Sequence, residues 1–231
     1  MEYWLDFSIV ALAALVHATM QLGVGSLVLL YRESARKHVQ KRTKNIVSSF
    51  ISGVGIMIFL GTAATAFVIS NFFDGGFSVE VLAAVIGFLV AFGIAVWFFY
   101  YKADESSEVW LPKVVAQFIN TRARVTENNT EAFSLGALTC VGELPFGLIL
   151  AVVAGNSIAS VPELWRPILA AVYTLIAIAP MVVVRVAVRR GKTAQTMQKW
   201  RVRNKAFLLF VSGAGFALLA AFIFAFRVLG N

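Results

Sequence analysis

Apolar residues are concentrated in six long stretches of the chain, which are separated by shorter polar segments. Each stretch holds roughly 20 residues or more, enough for a helix to cross a hydrocarbon core of about 30 Å. A helix satisfies its own backbone hydrogen bonds in lipid, so all six stretches are predicted to be helical. The predicted spans cover residues of about 7–31, 47–71, 79–101, 133–155, 166–188 and 206–227.

The composition supports a membrane protein over a soluble one. Hydrophobic residues make up 59% of the chain and charged residues only 14%, whereas a soluble domain needs a largely polar surface. The single cysteine, Cys140, excludes an internal disulfide and a paired-thiol redox site. We therefore predict an all-α integral membrane protein.

The positive charges lie in alternate polar segments. Seventeen of the 20 Lys and Arg residues fall within segments 32–44, 102–124 and 189–205. The positive-inside rule places these segments in the cytoplasm and both termini outside, in a multi-pass protein of a bacterial cytoplasmic membrane. The basic charge then indicates orientation and contact with anionic lipid on the cytoplasmic side, and not nucleic-acid binding.

The middle basic segment divides the chain into two halves of three spans, residues 1–101 and 133–231, joined by a connector at 102–132. The two halves enter the membrane from opposite sides, so a structural repeat between them must be inverted. Within the connector, apolar residues recur at helical spacing over about 108–124. This pattern predicts an amphipathic helix, either on the inner membrane surface or packed under the bundle.

A short match between spans 1 and 4 supports the inverted repeat. The segment QLGV (21–24) aligns with ELPF (143–146), and in each a polar residue precedes a residue that weakens a helix. Four residues earlier stand His17 and Thr139, each one turn away on the same face of its helix. We predict helix breaks at Gly23, at Pro145 and, in span 5, at Pro180.

Glu143 is the strongest candidate for chemistry. It lies close to the centre of span 4, where a charge costs about 2.5–3.5 kcal/mol on insertion scales. A carboxylate beside a helix opened by Pro145 can bind a cation or hold a proton that is exchanged for one. The alternative is a protonated glutamate that makes one interhelical hydrogen bond.

His17 and Gln21 lie at a similar depth in span 1. A buried histidine serves as a proton relay, a metal ligand or a packing residue. Thr139 and Cys140 add an oxygen and a thiol beside Glu143, which completes the predicted substrate- or ion-binding set. His17, Cys140 and Glu143 are weak candidate ligands for a soft divalent metal, because no repeated metal-binding pattern supports a high-affinity site.

The chain contains no Walker motif and no serine–histidine or zinc-hydrolase signature. We therefore expect no enzyme activity and no cofactor, and any pumping would use a gradient or a partner.

Six spans, a division into three and three, and polar–Gly/Pro breaks in spans 1 and 4 resemble the LysE-type exporter superfamily. That superfamily includes cadmium-resistance exporters and the CcdA/DsbD electron carriers. The resemblance is mainly architectural: segment 22–25 lacks the proline typical of LysE-type span 1. Ala18 stands where a CcdA-type protein has a second cysteine, which argues against the redox branch. The segment at 143–146 also looks like uncharacterised bacterial membrane proteins of six spans.

The resemblance implies export of a small solute or cation from the cytoplasm. The sequence therefore predicts a secondary transporter with a site at the membrane midplane between spans 1 and 4. The alternatives are an ion channel and a non-transporting scaffold that recruits a partner or lipid through its basic loops. The sequence leaves open whether the protein forms a homo-oligomer.

Overall fold

The computed structural model describes residues 3–21, 23–37, 40–73, 75–101, 113–189, 196, 199–200 and 203–230. These residues form helices joined by short turns, and no strand occurs among them. Parts of three predicted features lie outside these residues: positions 108–112 of the connector helix, most of the basic segment 189–205, and residue 38 in the basic segment 32–44. The helices are α1 (Trp4–Met20), α2 (Gly23–Lys37), α3 (Gln40–Phe72), α4 (Val79–Tyr101), α5 (Lys113–Val125), α6 (Asn129–Gly142), α7 (Leu144–Ala159), α8 (Arg166–Ala177), α9 (Ala179–Arg189) and α10 (Lys205–Ile223), with a 3-10 turn at Glu163–Trp165 and a π-helical turn at Phe224–Val228.

Three helices, α3, α4 and α10, are each long and apolar enough to cross a membrane. Three bent pairs of helices pass the same test when each pair is taken together. The first pair, α1–α2, bends by 47°, the second, α6–α7, by 82°, and the third, α8–α9, by 47°. The described residues thus provide three to six candidate membrane spans, which confirms the predicted all-helical fold with several helices that could cross a membrane.

The longest helix, α3, packs against both helices of the second bent pair. Its crossing with α6 is made by two glycines. A Cβ atom added to Gly53 would collide with the carbonyl oxygen of Phe133, and one added to Gly136 would collide with that of Phe50. The backbones therefore touch directly, as they do where small residues line a helix interface in lipid. This contact fixes α3 about two to three turns before the bend of the second pair.

The centre of the bundle is built around α1, which contacts α7, α8 and α10. Its residues Ile9, Val10, Ala13 and Ala14 are buried. Helices α4 and α10 pack on each other at one side of the bundle. The first bent pair is therefore enclosed by the other elements and lies away from lipid over much of its length.

The connector helix α5 packs against α2 and α6. Ile119 and Ala123, four residues apart on one face, are buried in this contact, whereas Phe118 is exposed. Of the two arrangements that the sequence left open, the structure shows the helix packed on the bundle. Nearby, the guanidinium of Arg42, close to the start of α3, donates a hydrogen bond to the carbonyl oxygen of Glu127 at 3.1 Å.

The opposite end of the bundle, where α1 begins and the π-helical turn lies, carries a partly buried ion pair between Asp6 in the first turn of α1 and Arg227. At the same end, the side-chain oxygen of Asn156 accepts a hydrogen bond from the backbone of Phe77 at 2.8 Å. The hydroxyl of Ser160 donates to the carbonyl oxygen of Gly75 at 3.4 Å. The C-terminal end of α7 is thereby joined to the turn between α3 and α4.

Candidate functional site

The break in the first bent pair is capped by Glu143. Helix α1 ends at Met20, and Gln21 leaves it with φ −59° and ψ 112°. The first N–H groups of a helix have no acceptor within the helix. In α2, the N–H of Gly23 donates a hydrogen bond to Glu143 Oε1 at 3.1 Å, so the carboxylate of one bent pair caps the broken helix of another. The positive end of the helix dipole favours a negative charge at this position.

The break in the second bent pair is Glu143 itself. Its backbone N–H bonds to the carbonyl oxygens of Thr139 and Cys140, and its own carbonyl accepts from Gly147 at 2.7 Å. Pro145 lies in the first turn of α7, where a missing N–H costs little because that group has no partner in the helix anyway. The proline therefore begins a new helix at an angle of 82° to the old one.

His17 stands between Glu143 and a tyrosine. The Nε2 atom of its buried imidazole lies 3.5 Å from Glu143 Oε2. This distance is within ion-pair range and longer than a normal hydrogen bond. Its Nδ1 atom is 2.9 Å from the hydroxyl of Tyr173, a fully buried residue of α8. The groups Tyr173, His17, Glu143 and the Gly23 N–H thus form one polar row across all three bent pairs.

The third bent pair bends at Ile178, and Pro180 is the second residue of α9. Met181 in the first turn of α9 is fully buried, and a Cβ atom on Gly23 would collide with its methyl group. A Cβ atom on Gly55 of α3 would lie 3.7 Å from Ile178. The three breaks therefore meet at one level of the bundle, beside the middle of α3.

The remaining predicted site residues surround this row at different distances. Thr139 is fully buried and donates to the carbonyl oxygen of Gly136 at 2.6 Å. The thiol of Cys140 faces the carbonyl oxygen of Val54 at 3.6 Å. The carboxamide of Gln21 is buried, and neither its oxygen nor its nitrogen has a hydrogen-bond partner among the described residues. The structure thus brings the side chains of His17 and Glu143 together, whereas the Cys140 thiol is directed at a backbone carbonyl.

The three candidate metal ligands, His17, Cys140 and Glu143, do not form a common binding site. Among the described residues, no group of three or more His, Cys, Asp and Glu side chains could hold a metal ion. His17 has Nδ1 at the Tyr173 hydroxyl, and Cys140 is directed at a backbone carbonyl.

The sequence predicts that Tyr173 could line a polar path in span 5, but it predicts neither the contact of Tyr173 with His17 nor the place of Met181 at the site. A tyrosine in the middle of an apolar helix is a signal, since a buried hydroxyl needs a hydrogen-bond partner. The partner could not be named from the pattern, because His17 lies 156 residues away in the chain. Met181 gives no such signal, since methionine is an ordinary packing residue.

A carboxylate beside an imidazole in a buried site can gain or release a proton, and it can attract a cation in place of that proton. The fold and the site together define a helical multi-pass membrane protein with a buried carboxylate–imidazole pair where its broken helices meet. Comparison of the chain with protein-family models, with curated proteins and with solved structures finds no match.

Proposed function

We propose that this protein is a secondary transporter that exports a small solute or cation across the cytoplasmic membrane. Each bent pair counts as one span in this proposal, which gives six spans in two inverted halves with both termini outside. The substrate binds at the midplane between spans 1 and 4. Glu143 is the proton or cation site, with His17 and Gln21 as polar contacts from span 1.

One observation carries the proposal. Glu143, at the break of span 4, accepts the hydrogen bond of the Gly23 N–H at the break of span 1, and His17 of span 1 faces the same carboxylate. A helix that only packs in lipid needs neither a break nor a buried carboxylate, and both features are costly there. Paired broken helices from two halves are the arrangement in which transporters bind substrate and ion.

The helix packing is consistent with an inverted repeat. Spans 1 and 4 contact each other, as do spans 2 and 5 and spans 3 and 6. The contact between spans 2 and 4 has its counterpart between spans 5 and 1. Exchange of the two halves preserves this pattern. One departure is that span 5 is bent and span 2 is continuous.

The residues around the two breaks follow the same exchange. Thr139, one turn before the break in span 4, lies 3.7 Å from the position of a Cβ atom on Gly23, just after the break in span 1. His17, one turn before the break in span 1, lies 3.7 Å from the position of a Cβ atom on Gly147, just after the break in span 4. Because each half supplies groups to the other half's break, rocking of one half against the other would rebuild the site at every transport cycle.

The buried carboxamide of Gln21 also supports a ligand at this level. An amide that is buried without hydrogen bonds costs roughly 1–3 kcal/mol in proteins. A polar substrate between the two breaks would supply a donor or an acceptor to it.

Ligand-dependent stability and flux test the proposal. The purified protein is heated with a panel of amino acids and with monovalent and divalent cations, and stabilising compounds are then followed as efflux from proteoliposomes. A ligand at a hundredfold excess over its Kd stabilises the native state by about 2.7 kcal/mol. We expect a stabilising compound and saturable efflux in the wild type, and neither in Glu143→Gln.

The exposed residue Glu163 provides the matched control, since Glu163→Gln makes the same chemical change away from the breaks. Normal flux in Glu143→Gln would contradict the transporter mechanism. Large single-channel currents in planar bilayers would instead support an ion channel.

A scaffold is the second candidate, and it rests on α5. Phe118 is exposed on that helix, and the guanidinium carbon of Arg122 lies 5.6 Å from the centre of its ring. An exposed aromatic ring with a cation on it suits a partner or a lipid headgroup. If the protein is only a scaffold, substitution of Glu143 or His17 leaves its function intact. The double substitution Phe118→Ala with Arg122→Ala should then abolish binding of the partner or lipid that the scaffold recruits.

A further inference from the structure

The polar row at the three breaks allows only certain proton positions. Glu143 Oε1 already accepts a hydrogen bond from the Gly23 N–H, which favours the ionised carboxylate. The second oxygen faces His17 Nε2 at 3.5 Å, and this approach is attractive when Nε2 carries a proton. A neutral imidazole has one N–H, so Nδ1 is then an acceptor, and the Tyr173 hydroxyl donates to it across 2.9 Å. In this state the row carries one net negative charge.

A second proton changes the direction of one hydrogen bond. With one more proton on the pair, Nδ1 also carries a hydrogen, and the Tyr173 hydroxyl accepts the bond that it formerly donated. A tyrosine hydroxyl can serve in both directions, whereas a phenylalanine at this position can serve in neither. The added proton lies on Nδ1, the Nε2 proton still faces Glu143 Oε2, and the row becomes neutral.

Several titratable and charged side chains on the elements packed around this pair are engaged elsewhere. Cys140 on α6 is directed at Val54, and Arg166 on α8 is bound to backbone carbonyls at the end of α7. Asp6 and Arg227 are paired with each other at the end of the bundle. Arg185 on α9 lies seven residues beyond the bend at Ile178, about 10 Å along the helix.

We propose that Glu143 and His17 form a proton-exchange pair, in which a proton or a monovalent cation neutralises the single negative charge, and that Tyr173 is its positioning residue. A divalent ion would leave a net positive charge in a low-dielectric site, which is unfavourable. His17 is also poorly placed as a metal ligand, since one ring nitrogen faces Tyr173 and the other presents its hydrogen to Glu143. The proton states rest on this geometry alone, and the exchange for a transported cation rests on the proposed function.

Nuclear magnetic resonance of a single histidine tests the proton states without any knowledge of the substrate. The chain has two histidines, His17 and His38, so His38→Ala leaves only His17 to report. The ¹⁵N-histidine-labelled protein in lipid bilayers is titrated from pH 9 to pH 5. We expect the neutral Nε2–H tautomer at alkaline pH and a doubly protonated ring at acidic pH.

Two variants, made in the same background, identify the partners. In Tyr173→Phe, we expect the doubly protonated ring to appear only at a roughly tenfold higher proton concentration, because Nδ1–H has lost its acceptor. In Glu143→Gln, the required proton concentration should rise at least tenfold, because the negative charge beside the ring is gone. A ring that stays neutral over the whole range in the wild type, or one that carries its proton on Nδ1 at alkaline pH, would overturn the pair. Equal titration of wild type and both variants would do so too.

A second measurement separates this inference from the transport function. Proteoliposomes with a pH gradient receive Na⁺, K⁺, methylammonium or choline, and loss of the gradient is followed with a fluorescent dye. We expect one cation to dissipate the gradient in the wild type, Glu143→Gln to be inactive, and the pH profile of Tyr173→Phe to move to more acidic values. If the titration succeeds and no cation dissipates the gradient, proton–cation exchange is overturned and the protonation pair stands. If a cation dissipates the gradient while His17 never gains its second proton, the pair is overturned and transport stands.

Discussion

At the scale of single residues, the burial of Glu143 has a specific physical reason. A carboxylate in lipid is unfavourable, but here it lies at the N-terminus of α2 and accepts the N–H of Gly23. The helix dipole and the backbone donor both stabilise the negative form. The carboxylate therefore has a structural role as a helix cap as well as the proposed role in binding, and experiments must separate the two.

Substitution of Glu143 by Gln separates them. The Gln side chain keeps an oxygen that can accept the Gly23 N–H, so we expect the free energy of unfolding to fall by no more than about 1 kcal/mol. Glu143→Leu removes the acceptor and should cost about 1–3 kcal/mol. Thermal unfolding in detergent measures both values. Collapse of the Gln variant alone would make the charge structural and would weaken the binding proposal.

At this scale the sequence singled out the two ionisable residues but not the residues that contact them. Glu143 and His17 stand out because ionisable residues are rare in apolar spans. Their pairing with Tyr173, and the contact of Gly23 with Met181, join residues far apart in the chain. Which residues meet depends on how three separate helices are rotated and on where each bends, and a single sequence with no internal pairing signal does not specify either.

At the scale of helices, the apolar pattern predicted the elements well because the length of a span is set by the membrane. It did not predict that α3 begins at Gln40 and runs well beyond the apolar stretch. The polar part of this helix is held by contacts with α2 and by the bond from Arg42 to Glu127, which hydropathy does not register. The structure also shows how the second bent pair is fixed, through the two glycines at its crossing with α3.

The crossing of α3 and α6 gives a prediction about packing. Gly53→Ala or Gly136→Ala places a methyl group against a backbone carbonyl that cannot move independently, so we expect a loss of at least about 2 kcal/mol in the free energy of unfolding. Gly61→Ala is the matched control, since it lies on the same helix with no atom within 4 Å of its would-be Cβ. It should be neutral or slightly stabilising, because Ala favours a helix more than Gly does. Equal unfolding temperatures for Gly53→Ala and Gly61→Ala would show that the two helices do not touch.

At the scale of the whole molecule, Asp6 and Arg227 join the first helix to the last turn across 221 residues of chain. Asp6→Asn removes the carboxylate that pairs with the Arg227 guanidinium. We expect a loss of roughly 2 kcal/mol, below the 3–5 kcal/mol of a fully buried pair, because the Arg227 side chain is 24% exposed.

The exchanged pair, Asp6→Arg with Arg227→Asp, supplies the control. It should be more stable than either single substitution, and the coupling measured in a double-mutant cycle should be stabilising. Additive losses in the unfolding measurements would mean that the two charges do not interact in the membrane.

The number of spans depends on whether the second bent pair crosses the membrane or turns back within it, since a bend of 82° is compatible with both. The contacts at the two ends of this pair favour a crossing. Just before α6, Glu127 is bound by Arg42 near the start of α3, and just after α7, Ser160 is bound to Gly75 beyond the end of α3. Helix α3 is continuous over 33 residues, or about 50 Å. The pair therefore extends along the length of a helix that is itself long and apolar enough to cross a membrane.

Labelling of single cysteines in a Cys140→Ser background tests this crossing in intact cells. We expect Ser160→Cys to react with a membrane-impermeant thiol reagent from outside, and Glu127→Cys to react only after the cells are permeabilised, since positively charged segments stay in the cytoplasm. Both positions are exposed and lie next to helix ends. Arg42 binds the backbone carbonyl of Glu127, which the substitution keeps, and a thiol at position 160 replaces a hydroxyl of similar size. Reaction of both cysteines from the same side would make α6–α7 a re-entrant loop. The inverted repeat would then fail, because the two halves could no longer hold three spans each, and Glu143 would lie at the tip of a loop that enters from one face only.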